Sequence, residues 1–372
     1  MAHQKHAKLV KPKGGEWGRN EVAILGAPCG EIKELVAEIT KELSPEWQMA
    51  FVDAEHNKPA RNEWSALNYG AKMQLTNNIS HYSMDFKGDT TPFFNDADLV
   101  IVNGNHFKAE AQIAWIHPKK SLEKKLEKLN NVDLIILQDG EVLPDYLKSH
   151  LSGKDYTAIS RSNIQEIKNY FRSLVTESTA PLNGLVLLGG HSTRMQKDKS
   201  QLIYHLGQPQ HQYLSNLLTD YCENVYLSVR DEAQANEYQI MSITDKFIGL
   251  GPYGGILSAF QHNPNTAWLV VAVDLPFIDK NTLDSLTNNR NPHKAATCFI
   301  DRYDEFPEPL ITIWEPRAYP LLLNFLAKGF SCPRKALINS DVEIITERDI
   351  KSLTNVNTPE EYQLISTEVN EK

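Results

Sequence analysis

The stretch Leu185–Leu202, LVLLGGHSTRMQKDKSQL, decides how the C-terminal half is read. It opens as an apolar run and breaks at Gly189-Gly190. Within ten further residues it sets out Arg194, Lys197 and Lys199. An apolar strand that ends in glycines beside cations fits a phosphate-binding turn. Bare backbone N–H groups can approach an anion there, a guanidinium can fork two phosphate oxygens, and a lysine can add a point charge. The same letters also fit a plain strand-to-helix turn with solvated charges.

Outward from this stretch, short β-rich runs alternate with amphipathic segments. The C-terminal half runs GLVLLGG, helix QYLSNLLTDYC, strand NVYLSV, helix GGILSAFQHN, strand WLVVAVD and helix KNTLDSLTN. The N-terminal half has strands EVAILG, MAFVDA, ADLVIVNG, QIAWI and VDLIILQ. Between these lie the helical patterns IKELVAEITKEL and SLEKKLEKL, the latter with Leu122, Leu126 and Leu129 at helical spacing. Alternating strands and helices predict an α/β chain with two mostly parallel sheets, each covered by helices on both faces. At 372 residues two domains are expected. The Ser-, Thr-, Pro- and Gly-bearing stretch 172–184 marks the joint, giving domains 1–176 and 177–372.

Composition narrows the function classes. The chain is 41% hydrophobic and 23% charged, as ordinary globular proteins are, and its formal net charge is -9. An acidic balance argues against nucleic acid or an anionic membrane as partner, but leaves room for a local phosphate site. No apolar run reaches the ~20 residues that span a bilayer. The basic N-terminus lacks the apolar core of a secretory signal. Four scattered cysteines without a CxxC pair read as reduced thiols, which predicts a cytoplasmic protein. Twelve histidines form no metal-like cluster.

Two further segments carry chemistry. In LVVAVDLPFI, Asp274 ends a strongly apolar run, where a carboxylate can share Mg2+ with nucleotide phosphates or can cap a turn. In TDKFIGLGPYGGILSAF, Gly251, Gly254 and Gly255 open a helix, either as turn residues or as a backbone surface against a base.

Taken in order, LLGGHSTRMQKDKSQL, GPYGGILSA, VAVDLPFI and LTNVNTPEEY resemble the MobA family, the molybdenum cofactor guanylyltransferases. The likeness covers nearly all of 183–372. It implies a Rossmann-like nucleotidyltransferase fold and transfer of GMP from GTP to the terminal phosphate of molybdopterin or Mo-molybdopterin, with Mg2+. Leu188, Gly189 and Gly190 would form the nucleotide loop, and Arg194 and Lys199 would hold the triphosphate. Asp245 would lie near the guanine, Gly251, Gly254 and Gly255 against the nucleotide, and Asp274 on the metal. Asn355 and Asn357 would face the pterin substrate. Arg194, Lys199 and Asp274 would be the catalytic set. Ser228 stands where some members place an asparagine at the nucleotide, Gln196 replaces a usual glycine, and Glu308-Pro309 replaces a His-Pro on the pterin side. An acid there must point away from an anionic substrate. CTP or a sugar phosphate in place of these substrates, or a non-catalytic molybdopterin scaffold, are the alternatives.

NTPEEY also has a purely structural reading, with Thr358 as N-cap, Pro359 in the first turn and Glu361 closing a capping box. In SCPRKAL, Arg334 and Lys335 are candidates for the substrate phosphate, but read first as a helix-end charge pair.

The N-terminal half resembles a degenerate MobB, the P-loop partner of MobA, over residues 20–175. ILGAPCGEIKELVAEI follows a strand where a P-loop belongs, but Glu31, Ile32 and Lys33 stand at the Gly, Lys and hydroxyl positions of that motif. An acid and an isoleucine cannot cradle phosphate, so a P-loop-NTPase-like fold without a working P-loop is expected. Asn103-Gly104 sits at the Glu-Gly position of the family. The resemblance implies a scaffold role, with homo-oligomers, molybdoenzymes or their chaperones as partners.

Overall fold

A computed structural model describes residues 20–54, 73–76, 79–82, 94–109, 111–177, 179–189, 199–205, 207–300, 305–346 and 350–370. The chain divides into two compact units, Met1–Ser178 and Thr179–Lys372.

The first unit contains strands β1 (Asn20–Leu25), β2 (Met49–Val52), β3 (Met73–Thr76), β4 (Ile79–Tyr82), β5 (Leu99–Asn103), β6 (Ala111–Ile116), β7 (Val132–Leu137) and β8 (Thr157–Ser160). Its helices are α1 (Cys29–Leu43), α2 (Asp145–His150) and α3 (Ile164–Glu177). Six strands form one sheet in the order β2-β5-β1-β6-β7-β8, parallel throughout. Apolar side chains at helical spacing drive α1 onto one face: Ile32, Leu35, Val36, Ile39 and Leu43 are buried. Ile167, Phe171 and Val175 of α3 join the same cluster. The segment expected as a helix around SLEKKLEKL is a six-residue 3-10 turn, Glu123–Lys128. Leu122 and Leu129 anchor both its ends in the core. Gln112 also clamps its exit, donating to the Lys128 carbonyl and accepting from Asn130 N. Strand β8 carries only one buried residue, Ile159, which is why its run shows no apolar signature.

The second unit contains β9 (Leu182–Leu187), β10 (Ile203–His205), β11 (Gln208–Pro209), β12 (Val225–Val229), β13 (Ser242–Thr244), β14 (Ala267–Ala272), β15 (Ala296–Ile300), β16 (Pro307–Trp314) and β17 (Val342–Ile345). Its helices are α4 (Gln210–Leu218), α5 (Glu232–Ala235), α6 (Pro252–His262), α7 (Lys280–Asn288), α8 (Ala318–Ala327), α9 (Pro333–Ile338) and α10 (Pro359–Asn370). Seven strands form a sheet in the order β13-β12-β9-β14-β16-β15-β17. The contiguous strands β13, β12, β9 and β14 are mutually parallel, and β16 runs against both its neighbours. β9 and β14 are apolar and buried along nearly their whole length, as strands covered on both faces must be. One core face gathers Val186, Leu214, Leu227, Leu269 and Leu283; the other gathers Leu187, Ile256, Phe260, Trp268 and Trp314.

The parallel run has one consequence for function. The carboxyl ends of β9, β12, β13 and β14 share one edge of the sheet, where open α/β sheets place their ligands.

Candidate active site

Four segments leave that edge. After β9 come Leu188, buried at 2% exposure, and Gly189 at φ +76. Among the described residues no atom lies within 4 Å of where a Gly189 Cβ would stand, and its backbone takes a conformation that favours glycine. Gly190 and Arg194 lie outside the described residues, as does the side chain of Lys199, whose backbone begins the 3-10 turn Lys199–Gln201.

After β12 and β13, the Ser228 hydroxyl donates to Asp245 Oδ1 at 2.8 Å, and Asp245 N donates to the Val229 carbonyl at 2.8 Å. Burial raises the Asp245 carboxyl above its ordinary value, and the Ser228 bond partly offsets this. Asp245 thus presents an acceptor pair at the edge, one oxygen of which is held by a neighbour.

The glycines before α6 divide into two kinds. Gly251 has φ +57 and, among the described residues, no atom within 4 Å of a Cβ position, so it combines a turn conformation with a face clear of those neighbours. Gly254 and Gly255 are buried inside α6. A Cβ on Gly254 would strike the Phe247 carbonyl oxygen, and one on Gly255 would stand 2.6 Å from Ser228 Oγ and 2.8 Å from Leu187 Cδ2. Close helix–sheet packing therefore requires Gly255, and packing of α6 against its own preceding loop requires Gly254; the first sets the helix N-terminus beside the Ser228–Asp245 pair.

After β14, Val273 N extends the ladder to the Leu187 carbonyl at 3.0 Å, so the β9 and β14 exits stay side by side. Asp274 comes next, half-buried. Val356 N donates to the Asp274 carbonyl at 2.9 Å, which brings the Asn355–Asn357 segment to the same place. Asn355 Oδ1 is buried with no hydrogen-bond partner among the described residues. The segment is held by the capping box its sequence predicts. Thr358 Oγ1 accepts from Glu361 N at 3.2 Å, and Glu361 Oε2 accepts from Thr358 N at 3.1 Å and from Asn357 N at 2.7 Å. Tyr362 closes it further by donating to the Ile203 carbonyl.

The acid at Glu308 is internally neutralised. It is buried, its Oε2 accepts from Arg334 at 3.0 Å, and its Oε1 accepts from Leu310 N at 3.1 Å. Arg334 is thus engaged by a carboxylate rather than paired along its helix end.

Among the described residues no group of three or more His, Cys, Asp or Glu side chains could hold a metal ion by itself. The donor set at the sheet edge fits a hard cation only in the shared mode: Mg2+ commonly takes one or two carboxylates and completes its shell with phosphate oxygens and water. Asp274 would supply such a carboxylate, and the orphaned Asn355 oxygen belongs to the residue next to Val356, whose N–H holds the Asp274 main-chain carbonyl.

Residues 184–342 match the family model of the MobA-like NTP transferase domain. A molybdenum cofactor biosynthesis bifunctional protein of Synechocystis is 37% identical over 191 residues, covering 51% of this chain and 55% of that protein. The chain thus spans about half the length of that relative. A probable molybdenum cofactor guanylyltransferase of Clostridium perfringens is 26% identical over 187 residues, covering 48% of this chain and 92% of its own. Among solved structures, the molybdopterin-guanine dinucleotide biosynthesis protein A of Archaeoglobus fulgidus covers 51% of this chain and 100% of its own, at 21% identity and a TM-score of 0.44. MobA-like relatives therefore cover the C-terminal half, and the four ordered motifs fall within or just beyond the matched stretch.

In the first unit, the loop after β1 is occupied by the protein itself. Gly26 has φ +99, and a Cβ there would strike the Trp115 carbonyl and Leu122. Asn105 donates to the Ala27 carbonyl at 3.0 Å. Lys33 pairs with Asp53 at 3.0 Å, and Asn103 donates to the same carboxylate at 2.6 Å. Burial would raise Asp53, but the bonds from Lys33 and Asn103 outweigh it and hold the carboxyl below its ordinary value. Glu31 lies 3.6 Å from Lys119 and 3.8 Å from His117, whose own value burial lowers. No helix among the described residues is long and apolar enough to cross a membrane.

Proposed function

We propose that the C-terminal unit, residues 177–372, transfers GMP from GTP to the terminal phosphate of molybdopterin or Mo-molybdopterin, releasing pyrophosphate and forming molybdopterin guanine dinucleotide. One observation carries the reading. A domain matching the MobA-like NTP transferase model brings Gly189, the Ser228–Asp245 pair, Asp274 and Asn355 to one sheet edge.

The nucleophile is a phosphate monoester, already anionic near neutral pH, so no strong general base is required. Positioning and charge neutralisation govern the barrier. In this reading the backbone of Leu188, Gly189 and Gly190 holds the phosphates, and Arg194 and Lys199 neutralise them. Asp245, oriented by Ser228, accepts from the guanine, and Gly251 leaves room for the nucleotide. Gly254 and Gly255 let α6 approach closely enough to form that wall. Asp274 would hold Mg2+, which supplies charge neutralisation on the triphosphate. Asn355 and Asn357 face the pterin substrate, and the Arg334 bond to Glu308 keeps an acid from repelling it.

The N-terminal unit, residues 1–176, is read as a degenerate MobB-like domain. Its filled β1 loop supports a scaffold without NTP hydrolysis. The protein would act in the cytoplasm and hand the dinucleotide to a molybdoenzyme or its chaperone.

Purified protein with Mg2+ should release pyrophosphate from GTP only when molybdopterin is added. Release with CTP and not GTP would overturn the base assignment, and no release with any nucleotide would favour a binding scaffold.

A further inference from the structure

The loop after Asp274 is held by donors from outside itself. Besides Val356 N on the Asp274 carbonyl, Gln210 Nε2 donates to the Leu275 carbonyl at 3.1 Å. His205 Nε2 donates to the Pro276 carbonyl at 2.8 Å, and the Tyr213 hydroxyl donates to the Ile278 carbonyl at 3.0 Å. Four carbonyls within residues 274–278 are thus received by four donors from β10, α4 and the segment before α10. His205 is itself fixed, because its ring stacks on Tyr213 at 3.6 Å between centroids and 12° between planes. A carbonyl acceptor requires that Nε2 carry the proton, and burial lowers the His205 value, which favours the neutral ring.

Gln210 is fully buried, and its Oε1 has no hydrogen-bond partner among the described residues. A buried orphan acceptor is costly, so a side chain kept for packing alone would be better apolar. Here the amide is retained with one end on the loop.

We propose that His205, Gln210 and Tyr213 are positioning residues for Asp274: they lock the 274–278 backbone so that the carboxylate meets the metal–nucleotide without rearrangement. A carboxylate on an untethered turn must be ordered each time the cation binds, whereas a braced one has lost that freedom on folding. The inference rests on the reading of Asp274 as the metal carboxylate.

The test compares full-length variants by three readouts: the melting temperature without ligand, the Mg2+ concentration giving half of the GTP-induced rise in melting temperature, and hydrogen exchange over residues 273–279. His205→Phe keeps a ring against Tyr213 and loses the donor; His205→Gln restores a donor. Tyr213→Phe removes only the hydroxyl and keeps the stack, so it remains informative should His205→Phe fold poorly. The expected result for His205→Phe is about a tenfold rise in the Mg2+ midpoint, the scale of one lost hydrogen bond. Exchange over the loop should quicken, and His205→Gln should recover most of the loss. Tyr213→Phe should move the midpoint in the same direction. Midpoints within twofold of wild type in both His205→Phe and Tyr213→Phe would overturn the inference, as would equal damage in His205→Phe and His205→Gln. Asp274→Asn separates the two layers. If it leaves the midpoint unchanged, the reading of Asp274 falls and takes the inference with it. If it abolishes the Mg2+ effect while the bracing variants behave as wild type, only the inference falls.

Discussion

Replacing Arg334 by methionine tests how a buried acid is tolerated on the side of the site assigned to the pterin. Glu308 has a side-chain exposure of 4% and Arg334 of 34%. Removing one partner of a fully buried pair costs about 3–5 kcal/mol, because the remaining charge is left in a low dielectric. Two features reduce that here. Water reaches a third of the Arg334 side chain and screens the pair, and Leu310 N still donates to Glu308 Oε1. We take about half, ~2 kcal/mol, which is about a thirtyfold change in a local opening equilibrium. Hydrogen exchange by mass spectrometry over peptides spanning 307–314 reads that opening directly and does not require the two units to unfold together. Glu308→Gln keeps an acceptor for Leu310 N and lets the Arg334 guanidinium hydrate, so its cost should be about 1 kcal/mol or less. The double variant should be more stable than Arg334→Met alone, since it removes the stranded charge. Exchange within threefold of wild type in Arg334→Met, or a larger effect in Glu308→Gln than in Arg334→Met, would refute the reasoning. It would mean that the acid is neutralised by something other than this guanidinium.

Three more outcomes rest on the same geometry. Gly255→Ala should lose about 1–2 kcal/mol net, overpacking against Ser228 and Leu187 outweighing the helix propensity gained; calorimetry should show a lower melting temperature, and Gly254→Ala should fall further because its obstacle is a backbone carbonyl. Asp245 has a folded-state value raised by burial above 3.8, so its favourable contribution is complete below 3.8 and is lost as pH rises through the folded value. Asp245→Asn should therefore melt higher than wild type at neutral pH, with the gain shrinking toward pH 4, while GTP-induced stabilisation weakens. Asp274→Ala should abolish metal-dependent pyrophosphate release with little change in circular dichroism; full activity would remove the metal assignment.

Much of this architecture is legible in the sequence, because strand-end residues are marked by the contrast between an apolar run and the polar or glycine positions just beyond it. Gly189 and Asp274 stand out for that reason, and the parallel pairing then brings their strands' carboxyl ends to one edge. The capping box at Thr358 and Glu361 is likewise written in local letters and appears as expected. Other features depend on partners far apart in the chain. His205, Gln210 and Tyr213 carry no motif, since their role lies in reaching carbonyls 65 or more residues away. The direction of Glu308 depends on Arg334, 26 residues on, and no local pattern encodes that. The 3-10 turn at Glu123–Lys128 defeats a periodicity argument because two buried leucines at its ends, and not its middle, set the pitch. Gly254 and Gly255 show a subtler limit. A glycine needed beside a ligand and a glycine needed beside a carbonyl or a hydroxyl look alike until the neighbours are in place.

The most direct test is mass spectrometry of the product formed when the purified chain is given GTP, molybdopterin and Mg2+. A species whose mass equals molybdopterin plus GMP less water, formed together with pyrophosphate and absent with Asp274→Ala, is the predicted result. Unchanged molybdopterin under conditions where the protein is folded and binds GTP would contradict the account.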